Sequence, residues 1–496
     1  MVWANFLHFY QPADQQPDIL AAIVAQSYRP LLKGFLENRR ARITVNINGS
    51  LLELFDKHGY HDLIEALGTL GKRDQLEFTG SAKYHAFLPF LNKEEVARQV
   101  SANEESLKYY LKDGYKKNGF FPPEMAFKED LAPIIEGLGF KWIIIDEIAY
   151  NGKVEQIDYS KTYKIDGANL YVFFRERRPS NLIMSAICRT KESFLEVFKE
   201  DLKKNQYMLT GMDGETFGHH RPGLEKTLLD ILKAKVIDLV HVSELIHLYP
   251  DTKTVLPVQS TWASSPKDIE SGAQFLSWSD PTNPIHGWQW KLTDLALSHV
   301  RRLDRGSAKY ESLRQDMDKA LGSDHFWWAS AKPWWSVEMI ELGANRLLKL
   351  IRELDNATEE DKSEAADLYE KIVSTSFAWQ RTGKIRELAK ERFQHNKIPF
   401  KDRTWGLGGV GGSHYRAFIK MMHDLERESA KTGEYERATL WRDSIWRLEK
   451  KWDIYEAINT IDLLRTEIGN ERVEKMLKKY HDEYHQLRGG QPEDRF

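Results

Sequence analysis

Short apolar runs alternate with helix-like segments over about the first 245 residues, and this rhythm constrains the fold more than any other feature of the sequence. The runs occupy residues 3–9, 43–47, 76–78, 141–145, 170–174, 207–209 and 237–242. Strands that alternate with helices are typical of a parallel sheet covered on both faces. The pattern therefore predicts a parallel sheet closed, or nearly closed, into a barrel. Residues 164–175 break the rhythm, because Asp166-Gly167 between two β-rich runs predicts an inserted hairpin.

From about residue 290 the sequence changes to long helical patterns. Trp441, Ile445, Leu448, Trp452 and Tyr455 step by four, three, four and three, which places them on one helical stripe. Such a stripe is more typical of a helix face that packs in a hydrophobic core than of a cofactor site. We therefore expect a catalytic barrel over residues 1–288 and a helical domain over residues 289–496 that contributes to the active-site cleft.

The segment Gly406-Leu407-Gly408-Gly409-Val410-Gly411 matches the dinucleotide-binding fingerprint by letter. It lies between helical segments, whereas a true fingerprint follows a strand and opens a helix. We interpret it as a loop, and we expect no nucleotide cofactor.

Net charge, apolar content and cysteine content limit the partners and the cellular location that we expect for the protein. Lys and Arg number 71 against 74 Asp and Glu, so the net charge of −3 gives no basic surplus for nucleic acid. No stretch approaches the roughly 20 apolar residues that a membrane helix needs. A single cysteine, Cys188, and a start without a secretory pattern favour a cytoplasmic protein. The oligomeric state stays open.

Polar residues gather where the predicted strands end. In a parallel barrel the carboxyl ends of the strands meet at one mouth, where active sites form. The residues at these positions are His8 and Gln11, Asn46 and Asn48, Glu77, Lys83 and His85, Glu124, Asp146 and Glu147, and Asp213 and Glu215. Acids, histidines and amides from so many strand ends predict a shared catalytic site.

Glu124 and Asp213 have the most distinctive surroundings. Pro122 and Pro123 restrict the backbone before Glu124, so we expect this side chain to project from a stiff extended segment, as suits a nucleophile. Asp213 precedes Gly214 in a loop where glycines allow close approach to a ligand, and partial burial would raise its pKa. Cleavage of an acetal between sugars requires one acid and one nucleophile or base. This pair supplies both.

Five separated segments in about the first 330 residues resemble the motifs of glycoside hydrolase family 57. They are His8-Phe9-Tyr10-Gln11-Pro12, with Tyr10 where a second His is usual; Gln75-Leu76-Glu77-Phe78 with His85; Phe121-Pro122-Pro123-Glu124-Met125-Ala126; Asp213-Gly214-Glu215-Thr216-Phe217-Gly218-His219; and Ser323-Asp324-His325-Phe326-Trp327-Trp328. The resemblance implies an incomplete TIM-like (β/α)7 barrel followed by a C-terminal α-helical domain, retention of configuration, and no required metal or cofactor. It also implies Glu124 as nucleophile, Asp213 as acid/base, and Asp324 and Trp327 as sugar contacts.

We therefore expect a retaining glycoside hydrolase, similar to an α-amylase, that acts on α-1,4-linked glucans or maltooligosaccharides. The expected substrate contacts are His8, Gln11, Glu77, His85, Glu215, Trp262, Asp324 and Trp327. The 15 Trp, 20 Tyr and 23 Phe are more than packing usually requires, and sugar rings stack on aromatic faces.

Three alternatives stay open. The first is a 4-α-glucanotransferase or branching-type transglycosylase that uses the same two acids. The second is a metal-dependent hydrolase or deacetylase with His8, His85, Asp146 and His219 or His220 as ligands, although no metal-binding spacing occurs. The third is a glycan-binding protein without catalysis.

Overall fold

A computed structural model describes residues 1–184, 188–332, 334–394, 412–450 and 454–487. Its strands are β1 Val2–Phe9, β2 Ile43–Ile47, β3 Leu76–Gly80, β4 Gly119–Phe120, β5 Trp142–Asp146, β6 Thr162–Ile165, β7 Tyr171–Arg175, β8 Tyr207–Asp213, β9 Asp238–Val240 and β10 Thr252–Val255. Every predicted apolar run in the first 245 residues contains or overlaps one of these strands.

The strands form one curled, mostly parallel sheet in the order β10-β6-β7-β5-β4-β3-β2-β1-β8, with β9 beside the start of β1. Within the described chain, the parallel path from β7 to β8 holds seven strands. The two ends of this path approach each other, because Glu176 N after β7 donates to Leu209 O of β8 at 2.8 Å. The expected incomplete α/β barrel is confirmed.

The strand sequences explain why the sheet is buried on both faces. In β1, Ala4 and Phe6 belong to the apolar cluster inside the curl, whereas Trp3 and Leu7 belong to the cluster under the outer helices. Successive side chains of a strand point to opposite faces, so a strand covered on both sides is apolar at most positions.

The predicted hairpin is confirmed. β6 and β7 pair antiparallel, with Tyr163 opposite Val172, and Gly167 in the turn adopts a φ of 74° that suits glycine. β7 is also a strand of the barrel, since it pairs parallel with β5. β10, which the sequence did not predict, extends the sheet beyond β6.

The helices of the barrel region are α1 Pro17–Ile23, α2 Arg29–Glu37, α3 Gly49–Lys57, α4 His61–Lys72, α5 Lys93–Leu111, α6 Leu131–Gly137, α7 Arg177–Met184, α8 Lys191–Val197, α9 Leu224–Leu232, α10 Leu245–Leu248 and α11 Pro266–Glu270. A π-helical turn, Val24–Tyr28, joins α1 to α2. The later helices are α12 Pro284–Val300, α13 Tyr310–Ala320, α14 Asp324–Trp327, α15 Val337–Glu353, α16 Glu359–Thr382, α17 Lys384–Gln394, α18 Gly412–Lys431, α19 Tyr435–Lys450, α20 Ile454–Ile468 and α21 Asn470–Leu487.

The first later helices share a core with the barrel. One apolar cluster contains Ile143 and Ile145 of β5 together with Leu292 of α12 and Leu347 of α15. α12 begins at Pro284 and therefore spans the predicted boundary between residues 288 and 289. The division of the chain into two domains remains a prediction.

α18 to α21 contribute a separate apolar cluster. Trp441, Ile445 and Leu448 of the predicted stripe are buried in it, as expected. Trp452 lies outside the described residues, as does the predicted loop at Gly406–Gly411. Among the described helices, the structure contains none with the length and apolar character required to cross a membrane.

Candidate active site

A cleft of about 700 Å³ opens at the carboxyl ends of the barrel strands. Most of the predicted site residues line it, namely His8, Gln11, His85, Glu124, Asp213, Glu215, Trp262, Asp324 and Trp327. Side chains from β1 and β8 thus meet residues of α14, which follows the barrel in sequence. Large parallel barrels usually carry their sites at this end.

Glu124 occupies a tight turn rather than the expected extended segment. Pro122 is extended, with ψ of 132°, but Glu124 adopts a left-handed φ of 63° and Met125 a φ of 48°. Left-handed backbone costs a non-glycine residue about 1–2 kcal/mol. Trp262 stabilises this turn with two hydrogen bonds. Its backbone N donates to Glu124 O at 3.1 Å, and its indole Nε1 donates to Glu124 Oε2 at 2.7 Å.

Asp213 is the last residue of β8, directly opposite His8 in the register between β8 and β1. The glycines after it serve packing rather than ligand approach, which corrects the sequence interpretation. A Cβ on Gly214 would overlap the ring of Phe9, and one on Gly218 would overlap the carbonyl of Gln26. The turn after β8 is therefore pressed against β1 and the π-helical turn.

The two acids share one electrostatic environment. Burial and, to a smaller extent, the charge of Asp213 together raise the pKa of Glu124 to about 8, while the hydrogen bond from Trp262 opposes the rise. Burial also raises the pKa of Asp213 to about 6, against the opposing charge of Arg175. Both carboxyls thus hold a proton more tightly than in water, and the charge of one is felt by the other.

His8, Tyr10 and His85 form an aromatic stack beside Glu124. The rings of Tyr10 and His85 lie 4.1 Å apart, and those of His8 and His85 lie 5.1 Å apart. His8 Nδ1 donates to Asn46 Oδ1 at 2.7 Å, whereas His85 Nδ1 shares a 2.9 Å hydrogen bond with Ser323 Oγ. Burial lowers the pKa of His8 to about 4 and holds that of His85 well below its usual value, so both rings are neutral at physiological pH.

Tyr10 connects this stack to the helical part of the cleft. Its hydroxyl donates to Asp324 Oδ2 at 2.5 Å. Burial raises the pKa of Asp324 to about 6, and this hydrogen bond opposes the rise. Tyr10, which stands where the resembling motif usually has His, is thus an integral part of the cleft.

Gln11 and Glu215 lie together on the barrel side. Gln11 Nε2 donates to Glu215 Oε1 at 2.8 Å, and the hydroxyl of Tyr28 donates to the same oxygen. Burial and the charge of Asp213 raise the pKa of Glu215 to about 8. This group adds a polar contact surface next to Asp213.

Trp327 belongs to a wall of three indoles. Its ring stacks on that of Trp334 at 4.5 Å, and Trp328 meets both rings edge to face. Trp328 and Trp334 also line the cleft, although the sequence did not single them out as contacts. Flat apolar faces of this kind suit the apolar faces of sugar rings.

Glu77 does not line the cleft, which corrects its prediction as a substrate contact. It is the second residue of β3, far from the carboxyl end, and its carboxylate accepts hydrogen bonds from Thr44 Oγ1 at 2.9 Å, Asn118 Nδ2 and Ser243 N. Only residues at the end of a strand reach the mouth of a barrel.

Arg175 and Arg177 are cleft residues that the sequence interpretation missed. Both follow the apolar run that became β7, so the rule of examining strand ends would have found them. They enclose the fully buried Asp146, with Arg175 Nη1 at 2.9 Å and Arg177 Nε at 2.5 Å from its oxygens.

The ligand set of the metal-dependent alternative is not assembled. Both carboxylate oxygens of Asp146 form ion pairs with Arg175 and Arg177. His219 Nδ1 donates a hydrogen bond to Gln26 Oε1 at 2.7 Å. Across the described ranges, the structure brings together no group of three or more His, Cys, Asp or Glu side chains that could hold a metal ion.

The fold and site define an incomplete α/β barrel whose mouth carries paired acids and a wall of aromatic rings. The family model for glycosyl hydrolase family 57 matches residues 5–258. The chain belongs to this family.

Sequence identity to individual proteins of known activity is low, and the matched region covers only part of each chain. The chain is 23% identical over 258 residues to alpha-amylase 1 of Dictyoglomus thermophilum, covering 51% of this chain and 37% of that protein. The chain therefore spans well under half the length of this relative.

Two solved structures share the fold. The 4-alpha-glucanotransferase of Thermococcus litoralis superposes with a TM-score of 0.58 at 19% identity, over 72% of this chain and 60% of that one. The branching enzyme of Pyrococcus horikoshii, described as GH57-type, gives a TM-score of 0.58 at 14% identity, over 76% and 96% of the two chains.

Proposed function

We propose that the protein is a retaining glycoside hydrolase for α-1,4-linked glucans or maltooligosaccharides, with Glu124 as nucleophile and Asp213 as general acid/base. One observation carries the proposal: these carboxyls come from separate barrel strands, line the same cleft, and interact electrostatically. Family membership and the aromatic wall support a sugar substrate.

The proposed reaction has two steps. Asp213 protonates the oxygen of the leaving sugar while Glu124 Oε attacks the anomeric carbon. The bond between the anomeric carbon and that oxygen breaks as a glycosyl ester forms on Glu124. Asp213, now a carboxylate, then takes a proton from water as the water oxygen attacks the anomeric carbon, and the bond from that carbon to the Glu124 oxygen breaks, which releases the sugar and the Glu124 carboxylate. The configuration at the anomeric carbon is inverted twice and therefore retained.

Sugar binding must redistribute the proton within this pair. The pKa of Glu124, about 8, exceeds that of Asp213, about 6, whereas catalysis requires ionised Glu124 and protonated Asp213. The indole N–H of Trp262 stabilises the Glu124 carboxylate. A sugar oxygen next to Asp213 would stabilise the protonated acid as a hydrogen-bond donor.

The remaining cleft residues would bind the substrate. Gln11, Glu215 and Asp324 offer amide and carboxyl groups for sugar hydroxyls, and His8 and His85 present neutral rings. Trp327 would stack on a sugar ring.

The first test is removal of the nucleophile. Glu124→Ala should lower turnover on soluble starch by at least about 10⁴-fold, the loss typical of a missing catalytic group. Glu129→Ala is a matched control, because this exposed carboxylate lies five residues later and outside the cleft. Full activity in Glu124→Ala would overturn the proposal.

The nearest alternative is transfer of the sugar to a second sugar. The three indoles in the cleft favour this reaction, since their flat apolar faces suit the binding of a second sugar ring. Chromatography of products from maltotriose separates the two reactions. Oligosaccharides longer than maltotriose form only by transfer, whereas hydrolysis gives glucose and maltose alone.

We also propose a cytoplasmic setting. Cys188, the single cysteine of the sequence, is fully buried, and burial raises the pKa of its thiol to about 12. Fractionation of the source cells with an antibody against the protein tests this location.

A further inference from the structure

Asp146 is a buried carboxylate that holds two arginines. It ends β5, has no exposed surface, and lies opposite Arg175 in the register between β5 and β7. Arg175 Nη1 donates to its Oδ2 at 2.9 Å and Arg177 Nε to its Oδ1 at 2.5 Å. A buried carboxylate with two guanidinium partners is fixed on both oxygens, and it fixes both arginines in return.

Arg175 extends from this anchor to the strand that carries Asp213. Its Nε donates to the carbonyl of Gly211 at 2.7 Å, two residues before Asp213. A Cβ on Gly211 would lie 3.2 Å from Cδ of Arg175, so glycine leaves space for the arginine. The charge of Arg175 opposes the rise in the pKa of Asp213.

Arg177 extends from the same anchor to the segment that holds Glu124. Its Nη2 donates to the carbonyl of Trp262 at 3.0 Å. Trp262 in turn donates its indole N–H to Glu124 Oε2 and its backbone N–H to Glu124 O. Arg177 thus acts on Glu124 through Trp262 and makes no hydrogen bond to Glu124 among the described contacts.

We propose that Asp146, Arg175 and Arg177 form a positioning device that serves both reacting carboxyls, one arginine for each. The inference rests on the proposed function of Glu124 and Asp213. Residues of β5, β7 and the start of α7, elements that carry neither reacting carboxyl, thus set the charge on Asp213 and the orientation of Glu124.

The Arg175 branch is tested by direct titration of Asp213. Glu124 and Glu215 also interact with Asp213, as does the hydroxyl of Tyr28. The titration therefore uses Glu124→Gln protein, with ¹³Cγ-labelled aspartate and the Asp213 resonance assigned from Asp213→Asn. Glu215 and Tyr28 are common to every sample.

Arg175→Gln in this background should raise the pKa of Asp213 by about one pH unit or more, because a neighbouring arginine lowers a carboxyl pKa by about 1–3. Arg175→Lys keeps the charge and should largely restore the original value. An unchanged pKa in Arg175→Gln, or equal shifts in both variants, would overturn this branch.

The Arg177 branch is tested on otherwise unaltered protein. Arg177→Gln should lower kcat at least about tenfold with little change in KM, since misplacement of a reacting group affects the chemical step. The indole N–H resonance of Trp262, in ¹⁵N-tryptophan-labelled protein, should move as well. Arg177→Lys, which keeps one donor, should recover part of kcat.

A resonance and kcat that both stay unchanged in Arg177→Gln would overturn the second branch. Both spectroscopic measurements are independent of turnover. If Glu124→Ala were fully active, the proposed function would fail while the titration of Asp213 still decided the Arg175 branch.

Discussion

Trp262 stabilises both the backbone conformation of Glu124 and the ionised form of its carboxyl group. The same residue stabilises the left-handed backbone through its amide and the carboxylate through its indole N–H. The two partners are 138 residues apart in sequence, so spacing alone does not reveal the contact. The sequence predicted Trp262 as a substrate contact, and its bond to Glu124 emerges only from the fold.

Trp262→Phe should therefore shift the pH dependence of the first chemical step. With an aryl α-maltoside whose leaving group needs no proton, the rate requires only ionised Glu124 and rises with pH through its pKa. Loss of the donor raises that pKa further, so the rising limb of kcat/KM should move up by about 1–2 pH units, given about 1.5–3 kcal/mol for a hydrogen bond to a charged group.

A limb that stays in place, or moves to lower pH, would contradict this account of Trp262. Trp290→Phe is a suitable control, because that indole donates to the carbonyl of Trp278 outside the cleft.

The turn after β8 positions Asp213 through close packing. Gly214 lies against the ring of Phe9 and accepts a hydrogen bond from Ser27 Oγ at 2.9 Å on its carbonyl. Gly214→Ala should lower the free energy of unfolding by about 1–3 kcal/mol, the usual cost of overpacking, and should reduce kcat by displacing Asp213.

Chemical denaturation measures the change in stability. Gly137→Ala is the matched control, since nothing lies within 4 Å of a Cβ at that helical position. Alanine there should leave stability equal or higher. Equal stability of the Gly214→Ala and wild-type proteins would contradict the packing role of this turn.

The sequence predicts the barrel strands well because both faces of the sheet are buried, which makes most positions of each strand apolar. β10 escapes prediction because Thr252, Lys253 and Thr254 are exposed at the sheet edge. Glu77 was wrongly predicted as a substrate contact. Its motif identifies a strand, but it does not show that Glu77 lies near the start of that strand, away from the cleft. Arg175 and Arg177 follow a strand as expected, yet their common partner Asp146 depends on the register between β5 and β7.

The barrel and the helices that follow it pack against each other over much of the chain. They share an apolar cluster, and polar contacts cross between them, among them Tyr10 with Asp324, His85 with Ser323, Asp14 with Arg346 and Arg98 with Asp318. Asp324 and the three indoles therefore reach the cleft only when these helices are docked.

A fragment of residues 1–288 should consequently lack cooperative unfolding. Removal of the later helices divides the apolar cluster that contains Ile143 and Ile145 of β5, because Leu292 of α12 and Leu347 of α15 belong to the same cluster. Thermal unfolding followed by near-ultraviolet circular dichroism tests this outcome. A sharp transition in the fragment, matching that of the full chain, would instead support an independently stable barrel.

The roles of Glu124 and Asp213 are tested most directly by trapping the covalent intermediate. Asp213→Asn protein, incubated with an activated aryl α-maltoside, should still form the glycosyl ester, because the leaving group needs no acid. It should hydrolyse the ester slowly, because water lacks its base. Mass spectrometry should then find one glycosyl unit per chain, attached to the peptide that contains Glu124. An adduct on any other residue, or aryl release at the wild-type rate without an adduct, would contradict the assignment.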